Sequence, residues 1–186
     1  MRAIVGLGNP RPAHAATRHN LGFWVVERLL KARPWKVKLY SWGQVACRPE
    51  GLLLRPATYM NRSGDAVEAL VARFALRPGE LLVVLDDVDL PVGAVRLRPG
   101  GGPGTHNGLR SVLETLGTNE LPRLRVGVGA PPPGTGIAEY VLHPPEPQEV
   151  PLLDQAADLA AELALVFVEA GPAAALDSYS QARLTL

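Results

Sequence analysis

Ala3-Ile4-Val5-Gly6-Leu7-Gly8-Asn9-Pro10, followed by Ala16-Thr17-Arg18-His19-Asn20, is the stretch on which the reading of the chain turns. A short apolar run over residues 2–7, closed by glycine, reads as a buried strand. Behind it, Asn20 to about Ala32 reads as a helix. Asn20 is the expected N-cap, Phe23, Trp24, Val26, Leu29 and Leu30 form the apolar stripe, and Pro34 is the stop. Strand, glycine turn, loop and helix together deliver a histidine to the mouth of a strand.

The same alternation continues downstream. Lys36 to Tyr40, Gly43 to Arg48 and Gly51 to Arg55 read as short extended segments that make two or three antiparallel strands, and Ser63 to Ala75 as a helix ended by Pro78-Gly79. Leu81 to Leu85 is an uninterrupted apolar run, the mark of a central parallel strand, and it leads into Asp86. Ala94 to Arg98 is a further strand, and the loop from Pro99 to Gly108 opens a helix reaching about Leu116. Arg123 to Gly129 is the last strand. A proline-rich excursion spans Pro131 to Pro151, with Tyr140-Val141-Leu142 in its middle. It precedes an amphipathic helix from Leu152 to Glu169 and a short one from Ala173. The expectation is an α/β fold in which a mixed, twisted β-sheet is flanked by α-helices, with residues 1–186 forming one domain.

Composition narrows the class. The balance of 47% apolar and 20% charged residues is that of an ordinary globular protein. No run approaches the roughly 20 apolar residues that span a bilayer, and the opening residues lack the pattern of a signal peptide. Cys47 is the only cysteine, which fits a reducing, cytoplasmic setting. A net charge of +1 argues against a uniformly basic surface, yet Arg96, Arg98, Arg110, Arg123 and Arg125 lie close together in a chain with 16 Arg and 3 Lys. They are either a solvated surface or a local anion patch.

Several chemistries are excluded by spacing. Arg11 stands where the third glycine of a dinucleotide fingerprint belongs, and no Gly-Lys-Ser/Thr closes the loop at 100–108. There is no G-x-S-x-G elbow, so hydrolysis would use water activated by a base, and His19, with an ordinary pKa of about 6.5, is the candidate. Asp86, Asp87 and Asp89 are open to two readings: ligands for a divalent metal, or one carboxylate orienting a histidine. At least one of the three also reads as a turn residue before Pro91. Asn9, Asn61 and Asn107 either cap local structure or converge on a substrate.

Six segments in order, namely residues 4–10, 16–20, 58–64, 86–93, 100–108 and 123–129, resemble the bacterial peptidyl-tRNA hydrolase family. The resemblance implies cleavage of the ester between a peptide and the 3′-terminal ribose of tRNA, without metal or cofactor. It implies His19 as catalytic base, Asp86 as the group that holds it basic, and Asn9 as a discriminator of blocked from free amino groups. It further implies Asn61, Asn107 and Tyr59 around the peptide end, and Arg98 and Arg125 on the tRNA 5′-phosphate. His14 stands where the family commonly has Tyr, which changes any aromatic contact there. Pro103 and Thr105 also depart from the pattern, and the segment after Gly129 lacks a basic residue. A monomer with an open crevice suits so large a substrate.

Overall fold

A computed structural model describes residues 1–185 in backbone and 1–182 with side chains. The elements are β1 (Arg2–Gly6), α1 (Leu21–Ala32), β2 (Lys36–Tyr40), β3 (Gly43–Cys47), β4 (Gly51–Pro56), α2 (Ser63–Phe74), β5 (Leu81–Asp87) and β6 (Val95–Arg98). They continue with α3 (Asn107–Leu116), β7 (Arg123–Gly127), α4 (Ile137–Val141), α5 (Val150–Ala170) and α6 (Pro172–Thr185). The strands form one mixed sheet in the order β2-β3-β4-β1-β5-β7-β6. Its centre, β4-β1-β5-β7, is parallel, while β2 and β3 at one end and β6 at the other run antiparallel to their neighbours.

Period-2 alternation divides the core between two faces. Ile4, Leu82, Val84, Leu124 and Val126 pack with Val25, Val26 and Leu29 of α1 and with the apolar side of α5. Ala3, Val5, Leu52, Leu54, Leu81, Val83 and Leu85 pack with Val67 and Leu70 of α2 and Val112 of α3. All seven residues of β5 are buried, as expected of an unbroken apolar strand covered on both sides. Among the described residues no helix is long and apolar enough to cross a membrane.

Two local expectations change. α2 ends at Phe74 before it reaches Pro78, because Ala75 turns left-handed at φ 51° and its N–H bonds to Val71 O. Asn20 stands at the N-cap position of α1 but its side chain caps nothing there. The first turn of α1 is instead fixed by backbone contact with β1. A Cβ on Gly6 would lie 2.3 Å from Gly22 O, and one on Gly22 would lie 2.4 Å from both Leu7 N and Val84 O. The glycines let the helix start rest directly on the strand ends, which sets the position of the residues just before it.

Candidate active site

Outside the carboxyl ends of the parallel strands, where open α/β sheets place ligands, lies a crevice of about 1060 Å³. β1 delivers Asn9, β5 ends in Asp86 and Asp87, and the turn after β4 brings Tyr59, Met60 and Asn61. The loop before α3 closes one side with His106 and Asn107.

His19 sits in a short 3-10 turn, Arg18–Asn20, that runs straight into α1. Its Nδ1 is 2.9 Å from Asp86 Oδ1 and 3.0 Å from Oδ2. A carboxylate there fixes the proton on Nδ1 and leaves the lone pair on Nε2, which has no partner among the described residues. Burial disfavours the imidazolium, but the charge and hydrogen bond of Asp86 outweigh it and raise the His19 pKa above the usual value. Asp86 is itself fully buried, which opposes ionisation. The charge of His19 and the hydrogen bonds of both His19 and His106 prevail and hold its carboxyl well below the ordinary carboxylate range.

His106 was not singled out in the sequence. Its Nδ1 accepts the N–H of Leu109 at 3.1 Å, capping α3, so its proton lies on Nε2 and is donated to Asp86 Oδ1 at 3.0 Å. One carboxylate thus serves two histidines whose ring centroids are 4.8 Å apart. The available signal was a histidine directly before a helix start in a glycine-rich loop. Its cap role is local, whereas its bond to a residue 20 positions away has no local signature.

The asparagines divide by function. Asn20 Oδ1 accepts the N–H of Asn9 at 2.8 Å, and its Nδ2 donates to Asn9 O at 3.0 Å. Asn20 is therefore a clamp on the first loop rather than a helix cap. Asn9 Oδ1 accepts the Met60 N–H at 3.0 Å, which orients the amide and leaves Nδ2 as its uncommitted donor. Asn61 and Asn107 line the crevice, and His106, not Asn107, caps α3. Tyr59 is exposed on the rim with the Arg11 guanidinium 5.2 Å from its ring centroid. His14 is not brought to the crevice lining; it closes the turn Pro12–His14, where its carbonyl accepts from Thr17.

Strand register sorts the acidic and basic clusters. Consecutive strand residues point to opposite faces, so Asp86 turns to His19 while Asp87 turns to Arg125 of β7, to whose Nε it is paired. Asp89 is exposed, 3.9 Å from Arg125 Nη2. The three carboxylates therefore do not converge as a metal site. His19, Asp86 and His106 do offer ligand atoms within 4.8 Å of one another, but those atoms are the ones already joined by the two histidine–aspartate bonds. Arg96 opposes Arg125 and Arg98 opposes Arg123 across β6–β7, which gathers four arginines on one sheet face. Arg123 is buried and spent on the carbonyls of Gly101, Gly102, Asn119 and Leu121, where it holds the glycine loop. Arg98 is exposed at the crevice edge, and Arg125 lines the crevice from its pair with Asp87.

Comparison with known proteins places the chain in a family. A family model described as Peptidyl-tRNA hydrolase matches residues 3–185. The chain is 44% identical to a peptidyl-tRNA hydrolase of Synechocystis sp. over 87% of its length and 86% of the relative's. It is 41% identical to that of Halalkalibacterium halodurans over 91% and 94% of the two chains. The crystal structure of peptidyl-tRNA hydrolase from Acinetobacter baumannii superposes with a TM-score of 0.84 at 36% identity, covering 90% of this chain and 88% of that one. The chain belongs to the peptidyl-tRNA hydrolase family.

Proposed function

We propose that the chain hydrolyses the ester joining a peptide, or an N-blocked aminoacyl group, to the 3′-terminal ribose of tRNA, with water activated by His19. The observation that carries the reading is a histidine whose Nδ1 is held by a buried carboxylate and whose Nε2 is left free in an open crevice. Nε2 takes a proton from water as the oxygen attacks the ester carbonyl. Asp86 stabilises the resulting imidazolium, and the same proton then passes to the ribose oxygen as the C–O bond breaks. An ester needs no covalent intermediate for this, and general-base help of about 10²- to 10⁴-fold is the expected scale.

The donor Nδ2 of Asn9 suits a carbonyl oxygen of the blocked group. A free α-ammonium offers only donors and would meet it unfavourably, which supports Asn9 as the discriminator. Asn61 and Asn107 add amide groups for the peptide end or the developing oxyanion, beside Tyr59. Arg98 and Arg125 suit the 5′-phosphate because a guanidinium binds phosphate oxygens in a fork. The reading has the protein act as a cytoplasmic monomer without cofactor.

Purified protein releases N-acetyl-amino acid from N-acetyl-aminoacyl-tRNA in the presence of chelator, and His19→Ala abolishes release. Full activity in that variant removes the base assignment. Loss of activity on chelation points instead to a metal-dependent hydrolase, and salt-dependent tRNA binding without cleavage to a binding module.

A further inference from the structure

Arg18, immediately before His19, is only 3% exposed and has no part in the chemistry above. Its Nη1 donates to Pro144 O at 2.8 Å and to His143 O at 3.3 Å, and its Nη2 bonds Glu149 Oε2 at 2.6 Å. The Tyr140 ring lies against the guanidinium, 4.1 Å from Cζ to centroid. The backbone N–H of Arg18 also donates to His143 O at 3.2 Å. Side chain and main chain of one residue are thus tied to the same stretch, 140–149. α4, at the start of that stretch, packs chiefly on the 3-10 turn that carries His19. Within α4, Tyr140 Oη donates to Val128 O at 2.7 Å.

The stretch held in this way supplies Ile137, Ala138, Val141 and Leu142 to the crevice. Ile137 and Leu142 are 38% and 40% exposed, so apolar surface is displayed next to the reacting groups rather than buried in the core. Phosphates and ribose gain nothing from such a surface, whereas an apolar side chain of a peptide is relieved of water there. The Arg18–Glu149 pair is largely dry, with side chains 4% and 20% exposed, so it is poorly screened. Glu149 Oε2 also accepts the Glu146 N–H at 2.8 Å, which fixes the turn before α5.

We propose that Arg18 is a positioning residue that, with Glu149, latches the 137–149 segment onto the turn bearing His19 and so holds an apolar wall for the side chains of the substrate's peptide. This rests on the peptidyl-tRNA reading. The latch couples two tasks through neighbouring residues of one turn: His19 faces the ester, and Arg18 sets the surface on which the acyl group lies.

Glu149→Gln removes the charge while keeping the shape, and Arg18→Lys keeps the charge but cannot reach several acceptors at once. In both variants amide hydrogen exchange across 137–149 accelerates while β1 and β5 stay protected. KM for N-acetyl-leucyl-tRNA rises roughly 5- to 10-fold, the loss of part of one apolar contact. KM for N-acetyl-glycyl-tRNA stays within about twofold, and the pH midpoint of kcat does not move. Unchanged exchange in 137–149 overturns the latch. An equal KM rise for both substrates, or a shifted pH midpoint, overturns the wall and makes Arg18 a support for His19 or for the fold. The exchange measurement needs no activity, so wild-type protein that cleaves neither substrate defeats the proposed function without deciding the latch.

Discussion

His106→Asn is the substitution that best isolates the shared carboxylate. Asparagine is a good N-cap, so α3 keeps its first-turn acceptor, but it has no second nitrogen to reach Asp86 Oδ1, which His106 Nε2 approaches to 3.0 Å. A hydrogen bond to a charged group contributes about 1.5–3 kcal/mol. Without it, Asp86 keeps more negative charge for its remaining partner and grips the His19 proton harder. With about a third of the effect passed on through the two His19 contacts, the imidazolium gains about 0.5–1 kcal/mol. That lowers the ratio of neutral to protonated His19 by roughly two- to fivefold. On the acid side of the profile kcat/KM for N-acetyl-aminoacyl-tRNA therefore falls two- to fivefold, and the difference closes at alkaline pH, where His19 is neutral in both proteins. A profile from about pH 5.5 to 8.5 reads this directly. A loss of equal size at every pH, or an acid limb displaced to lower pH, refutes the shared-carboxylate account. Stability shifts in a defined sense. The folded pKa of His19 is raised, so its contribution is full below the unfolded value of about 6.5 and is lost as pH rises through the folded one. In His106→Asn the onset stays at the unfolded value and the loss extends to higher pH.

Arg98→Ala weakens tRNA binding and flattens the slope of log affinity against log salt by about 0.7–0.9, the release of one counterion. The variant and wild type bind alike once the tRNA lacks its 5′-phosphate, and a difference that persists there argues against that contact. Asn20→Ala leaves the buried N–H and C=O of Asn9 without partners, which costs about 1–3 kcal/mol in urea unfolding and narrows discrimination between N-blocked and free aminoacyl-tRNA. Unaltered discrimination would separate the clamp from the donor. Gly22→Ala drives a Cβ to within 2.4 Å of backbone atoms of Leu7 and Val84, which cannot yield as a side chain can. Its cost lies at or beyond the top of the ~1–3 kcal/mol overpacking range. Gly79→Ala, with nothing within 4 Å, is the neutral control in the same denaturation series.

The sheet was legible because its signals are local. Leu81 to Leu85 reads as a doubly covered strand, and the glycine and proline breaks around residues 36–56 mark three extended segments without reference to anything distant. The opposition of Asp86 and Asp87 was not legible, because the apolar run stops at Leu85 and only the continuation of β5 to Asp87 applies strand alternation to the pair. His106, Asn20 and Arg18 were not legible in their roles. Each makes its decisive contact across 11 to 131 positions of chain, and each also carries a plausible local reading as loop residue, helix cap or solvated cation. Arg123 shows the same limit from the other side: placed among four other arginines it reads as surface charge, and it is a buried tie for a glycine loop.

Asp86 belongs to a strand with no exposed residue, and the turn carrying His19 is seated by backbone contact on the end of β1. Structure of that kind opens only when the whole molecule does, whereas a five-residue helix such as α4, at the margin of the fold, opens at a fraction of that free energy. Heating this protein therefore separates grip from chemistry: the Michaelis constant climbs over a range of temperature in which the turnover number is still rising, and turnover collapses only at global melting.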